Sequence, residues 1–204
     1  EKGENMELIH RFGEALQEAF RYHGDQARKG DAAVPYMGHL LGVTSIVIDA
    51  GGTEDQAIAA LLHDAPEDQG GEATLEEIRV KFGDDVAGIV KDLSDTFEDP
   101  KPPWKKRKEE YLDHLQTVSD STLLVSLADK LHNVQSIALD REQVGEKVWD
   151  RFTGKREGSL WYYRALGEIY GERMADSPLL QRYLEIVDEL ATAGPDLRET
   201  GFGS

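Results

Sequence analysis

Apolar residues recur at three- and four-residue steps along almost the whole chain, a spacing that fits amphipathic α-helices and little else. Over residues 6–28, Leu8, Ile9, Phe12, Leu16, Ala19 and Phe20 form one stripe, which residues 30–35 interrupt. A second helix is predicted over about 37–49, stopped by Gly51 and Gly52. Thr53 and Gln56 make a capping box that opens a third, through Ala57, Ala60, Leu61 and Leu62. Pro66 disfavours helical geometry at Ala65 and clashes within a continuing helix, so this one is expected to end near residues 63–65. Thr74 with Glu77 reads as another capping box, starting a short helix that Gly83 closes. Further helices are predicted over 84–93, 104–118, 122–139, 144–152, 160–171 and 178–191, with a proline-rich loop over 97–103. No segment alternates with period two. The expectation is an all-α fold: one bundle of about eight to ten helices over residues 1–193, and a flexible, glycine-rich tail over 194–204.

Charge narrows the partners. Among 204 residues, 23 Lys and Arg face 40 Asp and Glu, a net charge of −17. Such a surface is unsuited to neutralising nucleic-acid phosphates or anionic lipid, so neither a nucleic acid nor a membrane is expected as a partner. A local basic pocket for a small anion stays open, and basic residues do cluster at Arg28-Lys29 and at Lys101, Lys105, Lys106, Arg107 and Lys108. The second cluster either closes over a diphosphate or forms a solvated face paired with Glu109 and Glu110. The chain has no cysteine, which excludes disulfides, Cys-ligated metals and thiol catalysis. With no signal-peptide pattern and no apolar run of bilayer length, a cytoplasmic location is expected. Oligomeric state is not readable from the sequence.

The segment Leu61-Leu62-His63-Asp64-Ala65-Pro66-Glu67-Asp68 puts four ionisable residues at the end of a buried apolar helix face. Imidazole nitrogen together with carboxylate oxygen suits Mn²⁺, Fe²⁺ or Zn²⁺ better than Ca²⁺. Taken alone, His63-Asp64 is equally a helix C-terminus carrying a favourable histidine, and Glu67-Asp68 a solvated turn. Two other positions shift the balance. His39 opens a helix after Pro35-Tyr36-Met37-Gly38, and Asp129 lies mid-way along an apolar stretch where a carboxylate needs a partner. A metal shared with His39, His63 and Asp64 would satisfy Asp129; so would a buried ion pair or an exposed helix face. Asn133, four residues on, shares the face of Asp129. His132 is expected to pack rather than ligate.

In order and spacing, His39, His63-Asp64 and Asp129 match the H…HD…D pattern of the HD-domain metal-dependent phosphohydrolases. More narrowly, the chain resembles the stand-alone (p)ppGpp hydrolases of the RelA/SpoT family. The resemblance is carried by His23-Gly24-Asp25-Gln26-Ala27-Arg28-Lys29, Pro35-Tyr36-Met37-Gly38-His39, His63-Asp64-Ala65-Pro66-Glu67-Asp68 and Leu127-Ala128-Asp129-Lys130-Leu131-His132-Asn133. It spans roughly the first two-thirds of the chain; the last third matches chiefly through Trp161-Tyr162-Tyr163.

The resemblance implies an all-α bundle holding one divalent metal, usually Mn²⁺, on His39, His63, Asp64 and Asp129. It implies that Glu67 and Asp68 position or deprotonate the attacking water. Arg28 would lie against a guanine base with Lys29 nearby, Asn133 would bond the ribose–phosphate region, and Tyr36 and Tyr162 would line the pocket. Lys105 is added from the basic cluster as a phosphate contact. The implied reaction removes the 3′-pyrophosphate of (p)ppGpp, leaving GDP or GTP. Leu40, Ala65-Pro66 and Lys130 depart from the family's usual residues, and none of these changes removes a ligand. Two other readings stand beside it: an HD phosphohydrolase acting on a nucleoside monophosphate or the 2′-phosphate of NADPH, and a nucleotide-sensing module without catalysis. The intact set of His39, His63, Asp64, Glu67, Asp68 and Asp129 argues against the last.

Overall fold

Residues 57–62, Ala-Ile-Ala-Ala-Leu-Leu, are buried on every side in a computed structural model that describes residues 10–28, 31–97 and 100–192. A helix with no polar face must be surrounded by others. This is α3 (Glu54–Leu62), and it packs against α1 (His10–His23), α2 (Met37–Asp49) and α6 (Asp84–Leu93). Ile58, Leu61 and Leu62 each contribute about 1.5–3 kcal/mol by leaving water. The end of α3 that carries His63 is thus fixed in the core. Its start is fixed by the expected capping box: Thr53 Oγ1 accepts from Gln56 N–H at 3.3 Å, and Gln56 Oε1 accepts from Thr53 N–H at 2.6 Å.

Three local expectations are corrected. Between α1 and α2 the chain forms an antiparallel ribbon of β1 (Ala27–Arg28) and β2 (Asp31–Pro35), with Ala27 opposite Pro35 and Arg28 opposite Asp31. Pairing this short leaves no period-two pattern to read. Pro66 does end α3, but the chain restarts at once as α4 (Ala65–Gln69), with the proline in its first turn, where a missing N–H costs nothing. Glu67 and Asp68 therefore project from a one-turn helix rather than a turn. Thr74 is no cap: α5 (Glu72–Phe82) already begins at Glu72, entered through Gly71 at φ +61°. Gly70 is needed here because a Cβ on it would stand 2.7 Å from Thr74 Oγ1.

α7 (Trp104–Leu115) and α8 (Asp120–Val144) follow the proline-rich loop. The chain divides into two compact units, Glu1–His132 and Asn133–Ser204, with the boundary inside α8. In the second unit the helix expected over 144–152 is instead a 3₁₀ segment, Gly145–Arg151, because Gly145 at φ +62° breaks the α-helical path. It leads to α9 (Lys155–Arg173) and α10 (Pro178–Thr192). Gly167 lets these two approach, since a Cβ there would meet Leu184 Cδ2 at 2.8 Å. Tyr183 Oη donates to the Tyr163 carbonyl at 2.7 Å and its ring meets Tyr170 edge-on. The all-α expectation holds, the ribbon aside. The tail expected over 194–204 lies outside the described residues.

Candidate active site

Three elements of the first unit aim nitrogen and oxygen at one point. His39 lies in the first turn of α2, His63 caps the C-terminus of α3 with Asp64 following it, and Asp129 sits in α8. One ligand atom each from His39, His63 and Asp129 lies within 4.8 Å of the others, and all three residues are buried. Asp129 Oδ1 is 3.2 Å from His39 Nε2 and 3.7 Å from His63 Nε2. Asp64 Oδ2 is 3.0 Å from His63 Nε2 and 3.8 Å from His39 Nε2. The four residues picked from the sequence thus converge.

Each side chain is aimed by its outer hydrogen bond. His63 Nδ1 lies 2.9 Å from the Ala60 carbonyl, one turn back on α3, which can only accept. Nδ1 therefore carries a proton, and Nε2 points inward, buried with no well-aligned hydrogen-bond partner. His39 Nδ1 meets His132 Nδ1 at 2.9 Å. Tyr36 Oη donates to Asp64 Oδ2 at 2.5 Å, and Lys130 Nζ to Asp129 Oδ2 at 2.5 Å.

The electrostatics are those of a site shaped for positive charge. Burial opposes ionisation of Asp129, but Lys130 and the two imidazoles hold its carboxyl well below the usual range. Asp64 is likewise held low, His63 overcoming burial. His63 is pushed well above its ordinary value by the Asp64 and Asp129 carboxylates, again against burial. Burial lowers His39, and burial with Asp64 raises Tyr36. Two anionic carboxylates among imidazoles, with an inward Nε2 set beside them but not well aligned for a hydrogen bond, fit a borderline divalent cation.

Glu67 and Asp68 follow on α4, each tied by a different partner. Gln26 Nε2 donates to Asp68 Oδ2 at 2.7 Å, while Gln26 Oε1 lies 2.7 Å from Nδ1 of the buried His23. Glu67 Oε1 accepts from Lys101 Nζ at 2.9 Å, and its Oε2 accepts from Asp95 N–H at 3.4 Å. The basic cluster splits. Arg107 and Lys108 converge on the buried Asp95 carboxylate, whereas Lys105 and Lys106 are exposed and pair with Glu109 and Glu110, each at 3.5 Å.

Of the remaining candidates, Arg28 is half-buried on β1. Burial above all, then His39 and the Arg28 guanidinium, push His132 down to about 4. Lys29 lies outside the described residues. Asn133 is half-buried on α8, and Tyr162 is buried on α9, both in the second unit. Sequence reasoning assigned His132 to packing, quoted Gln26 only within a motif, and gave Asp95 no role. His132 stands three residues from Asp129, a spacing that shares a helix face, and that was the available signal. Asp95, in a loop, offered none.

Helices arranged around paired histidines and aspartates define the HD domain, whose family pattern matches residues 15–159; the chain belongs to that family. It is 40% identical over 126 residues to guanosine-3′,5′-bis(diphosphate) 3′-pyrophosphohydrolase MESH1 of Xenopus tropicalis, spanning 61% of this chain and 68% of that protein. The Homo sapiens MESH1 is 36% identical over the same extent. A guanosine-3′,5′-bis(diphosphate) 3′-pyrophosphohydrolase of Aquifex aeolicus is 33% identical over 142 residues, 66% of this chain but 19% of that longer protein. Among solved structures, a metazoan SpoT orthologue described as hydrolysing ppGpp superposes with a TM-score of 0.72 at 26% identity, over 89% of this chain and 96% of that one.

Proposed function

We propose that this chain is a metal-dependent hydrolase that removes the 3′-pyrophosphate of guanosine 3′,5′-bis(diphosphate), or of the corresponding pentaphosphate, giving GDP or GTP. The carrying observation is the convergence of His39 Nε2, His63 Nε2, Asp64 Oδ2 and Asp129 Oδ1, with Glu67 and Asp68 on the helix that follows directly. The similarity to proteins named for this reaction supports the substrate.

In this reading those four residues hold one divalent cation; the mixed imidazole–carboxylate set suits Mn²⁺, Fe²⁺ or Zn²⁺, and the family resemblance points to Mn²⁺. A cation held there would acidify water and offset the negative charge that develops on the attacked phosphoryl group and the leaving 3′ oxygen. Asp68, aimed by Gln26, and Glu67 orient the attacking water and take its proton. The water oxygen bonds to the phosphorus next to the ribose 3′ oxygen, the bond between them breaks, and the 3′ oxygen leaves with a proton. By the family resemblance Arg28 and Lys29 would face the guanine and Tyr36 would line the nucleotide pocket; Lys105 is a candidate phosphate contact, and Asn133 and Tyr162 are candidates for further contacts. A single HD domain over residues 1–193 belongs to the proposal, supported by a likeness running over 89% of the chain. So does a cytoplasmic location, which the cysteine-free sequence supports. Among the described residues no helix is long and apolar enough to cross a membrane.

Metal-stripped protein incubated with ppGpp, with and without Mn²⁺, tests the reading. Equimolar GDP and pyrophosphate, released only with metal and resolved by anion-exchange chromatography, is the expected result. No ppGpp turnover with any divalent metal, alongside cleavage of a nucleoside monophosphate or of NADPH, would overturn it.

A further inference from the structure

Gly42 stands in the interior of α2, where alanine would favour the helix by about 1 kcal/mol. A Cβ there would lie 2.3 Å from both Cδ2 and Nε2 of His132. The space a side chain would fill on α2 is taken by an imidazole reaching across from α8. The other edge of that imidazole carries Nδ1, 2.9 Å from Nδ1 of His39, and the two ring centroids are 4.9 Å apart. Asp129, three residues before His132 on the same helix, stands 3.2 Å from the opposite nitrogen of His39. One face of α8 therefore grips His39 at both ring nitrogens.

We infer that His132 is a positioning residue that fixes the tautomer and orientation in which His39 presents Nε2 to the metal. The inference rests on the ligand set proposed above. Nε2 can ligate only through its lone pair, so the single proton of neutral His39 must sit on Nδ1 and be donated outward. His132 Nδ1 is the acceptor, which places the proton of His132 on Nε2, at the edge facing Gly42. Metal-bound histidines usually donate to a carboxylate, a carbonyl or water. A neutral imidazole does the same without adding a third negative charge beside Asp64 and Asp129. Gly42 is part of the device, because any larger residue displaces the ring.

Mn²⁺ titration of the metal-stripped full chain, with free Mn²⁺ read by electron paramagnetic resonance, separates this from a packing role. The proteins compared are the parent, His39→Ala, His132→Ala, His132→Asn and Gly42→Ala. Asparagine places an amide oxygen close to where His132 carries Nδ1 and can accept the same bond. His132→Ala is expected to weaken Mn²⁺ about 10- to 100-fold, and His132→Asn to return to within about threefold of the parent. Gly42→Ala, which removes no polar group, is expected to weaken Mn²⁺ by about fivefold or more. The inference is overturned if His132→Ala binds Mn²⁺ like the parent, or if His132→Asn binds no better than His132→Ala. If His132→Ala does not fold, Gly42→Ala decides: parental affinity overturns the inference, and weakened affinity supports it. Parental affinity in His39→Ala would instead remove the ligand assignment itself, a failure distinguishable from the others.

Discussion

Gln26 donates from Nε2 to Asp68 Oδ2 at 2.7 Å, reaching from the stretch just before the β-ribbon to α4. Gln26 is itself held, its Oε1 lying 2.7 Å from Nδ1 of the buried His23. The carboxylate proposed to take the water's proton is thus aimed by a neutral amide. Gln26→Ala should lower kcat by about 10- to 100-fold by letting Asp68 adopt other rotamers. Mn²⁺ affinity should not change, because Gln26 touches no proposed ligand. Steady-state kinetics beside a metal titration checks both, and an undiminished kcat would show that the aim of Asp68 does not depend on Gln26.

Metal and folding should be linked. The inward Nε2 of His63 and the carboxylates of Asp64 and Asp129 all gain a partner when a cation binds, and the unfolded chain offers no such arrangement. Mn²⁺ at 100 times its Kd should stabilise the fold by about 2.7 kcal/mol. For a chain of this size that raises Tm by roughly 5–10 °C over protein in chelator. His63→Ala should lose most of the increment. Thermal melts in Mn²⁺ and in chelator make the comparison, and an equal Tm in both would count against the site.

Asp95 divides the basic cluster into structural and exposed halves. Its carboxylate accepts from Arg107 and Lys108, and burial pushes the Lys108 ammonium below its ordinary value. Asp95→Ala leaves those cations without their counter-ion and should cost about 3–5 kcal/mol. Lys106→Ala removes only an exposed pair with Glu110 and should cost less than about 1 kcal/mol. Urea unfolding distinguishes them; equal losses would mean that Asp95 anchors nothing.

What the sequence disclosed follows from the range of the interactions involved. The start of α3 was legible because Thr53 and Gln56 bond to each other within one turn. The proposed metal-site quartet was legible because His39, His63-Asp64 and Asp129 stand in the order and spacing of the HD-domain pattern, with burial beside apolar runs demanding a partner for each. Pro66 was half legible, since the same ring that ends one helix suits the first turn of the next. The ribbon at Ala27–Pro35, the Asp95 anchor and the contact of His132 with Gly42 depend on residues brought together across the fold. Nothing in the local pattern around them differs from a loop, a surface acid or a helix glycine.

Glu18 joins α1 to α5 and gives the fold an acid-sensitive contact. Its carboxylate accepts from Arg21 Nε at 2.5 Å and from Lys81. Burial opposes the charge, but the bonds from Lys81 and Arg21 prevail and hold the carboxyl below its ordinary value of 4.5. The folded state therefore binds this proton less readily than the unfolded chain. The stabilisation is present in full above about pH 4.5 and drains away as pH falls through the lower folded-state value. Because the pair is solvent-screened, Glu18→Gln should remove no more than about 1 kcal/mol at pH 7. Urea unfolding of parent and variant from pH 7 down to pH 3 should show that gap narrowing below pH 4.5, and a gap that widens on acidification would reverse the assignment. Added salt should shrink it at neutral pH as well, since screening weakens an ion pair open to solvent.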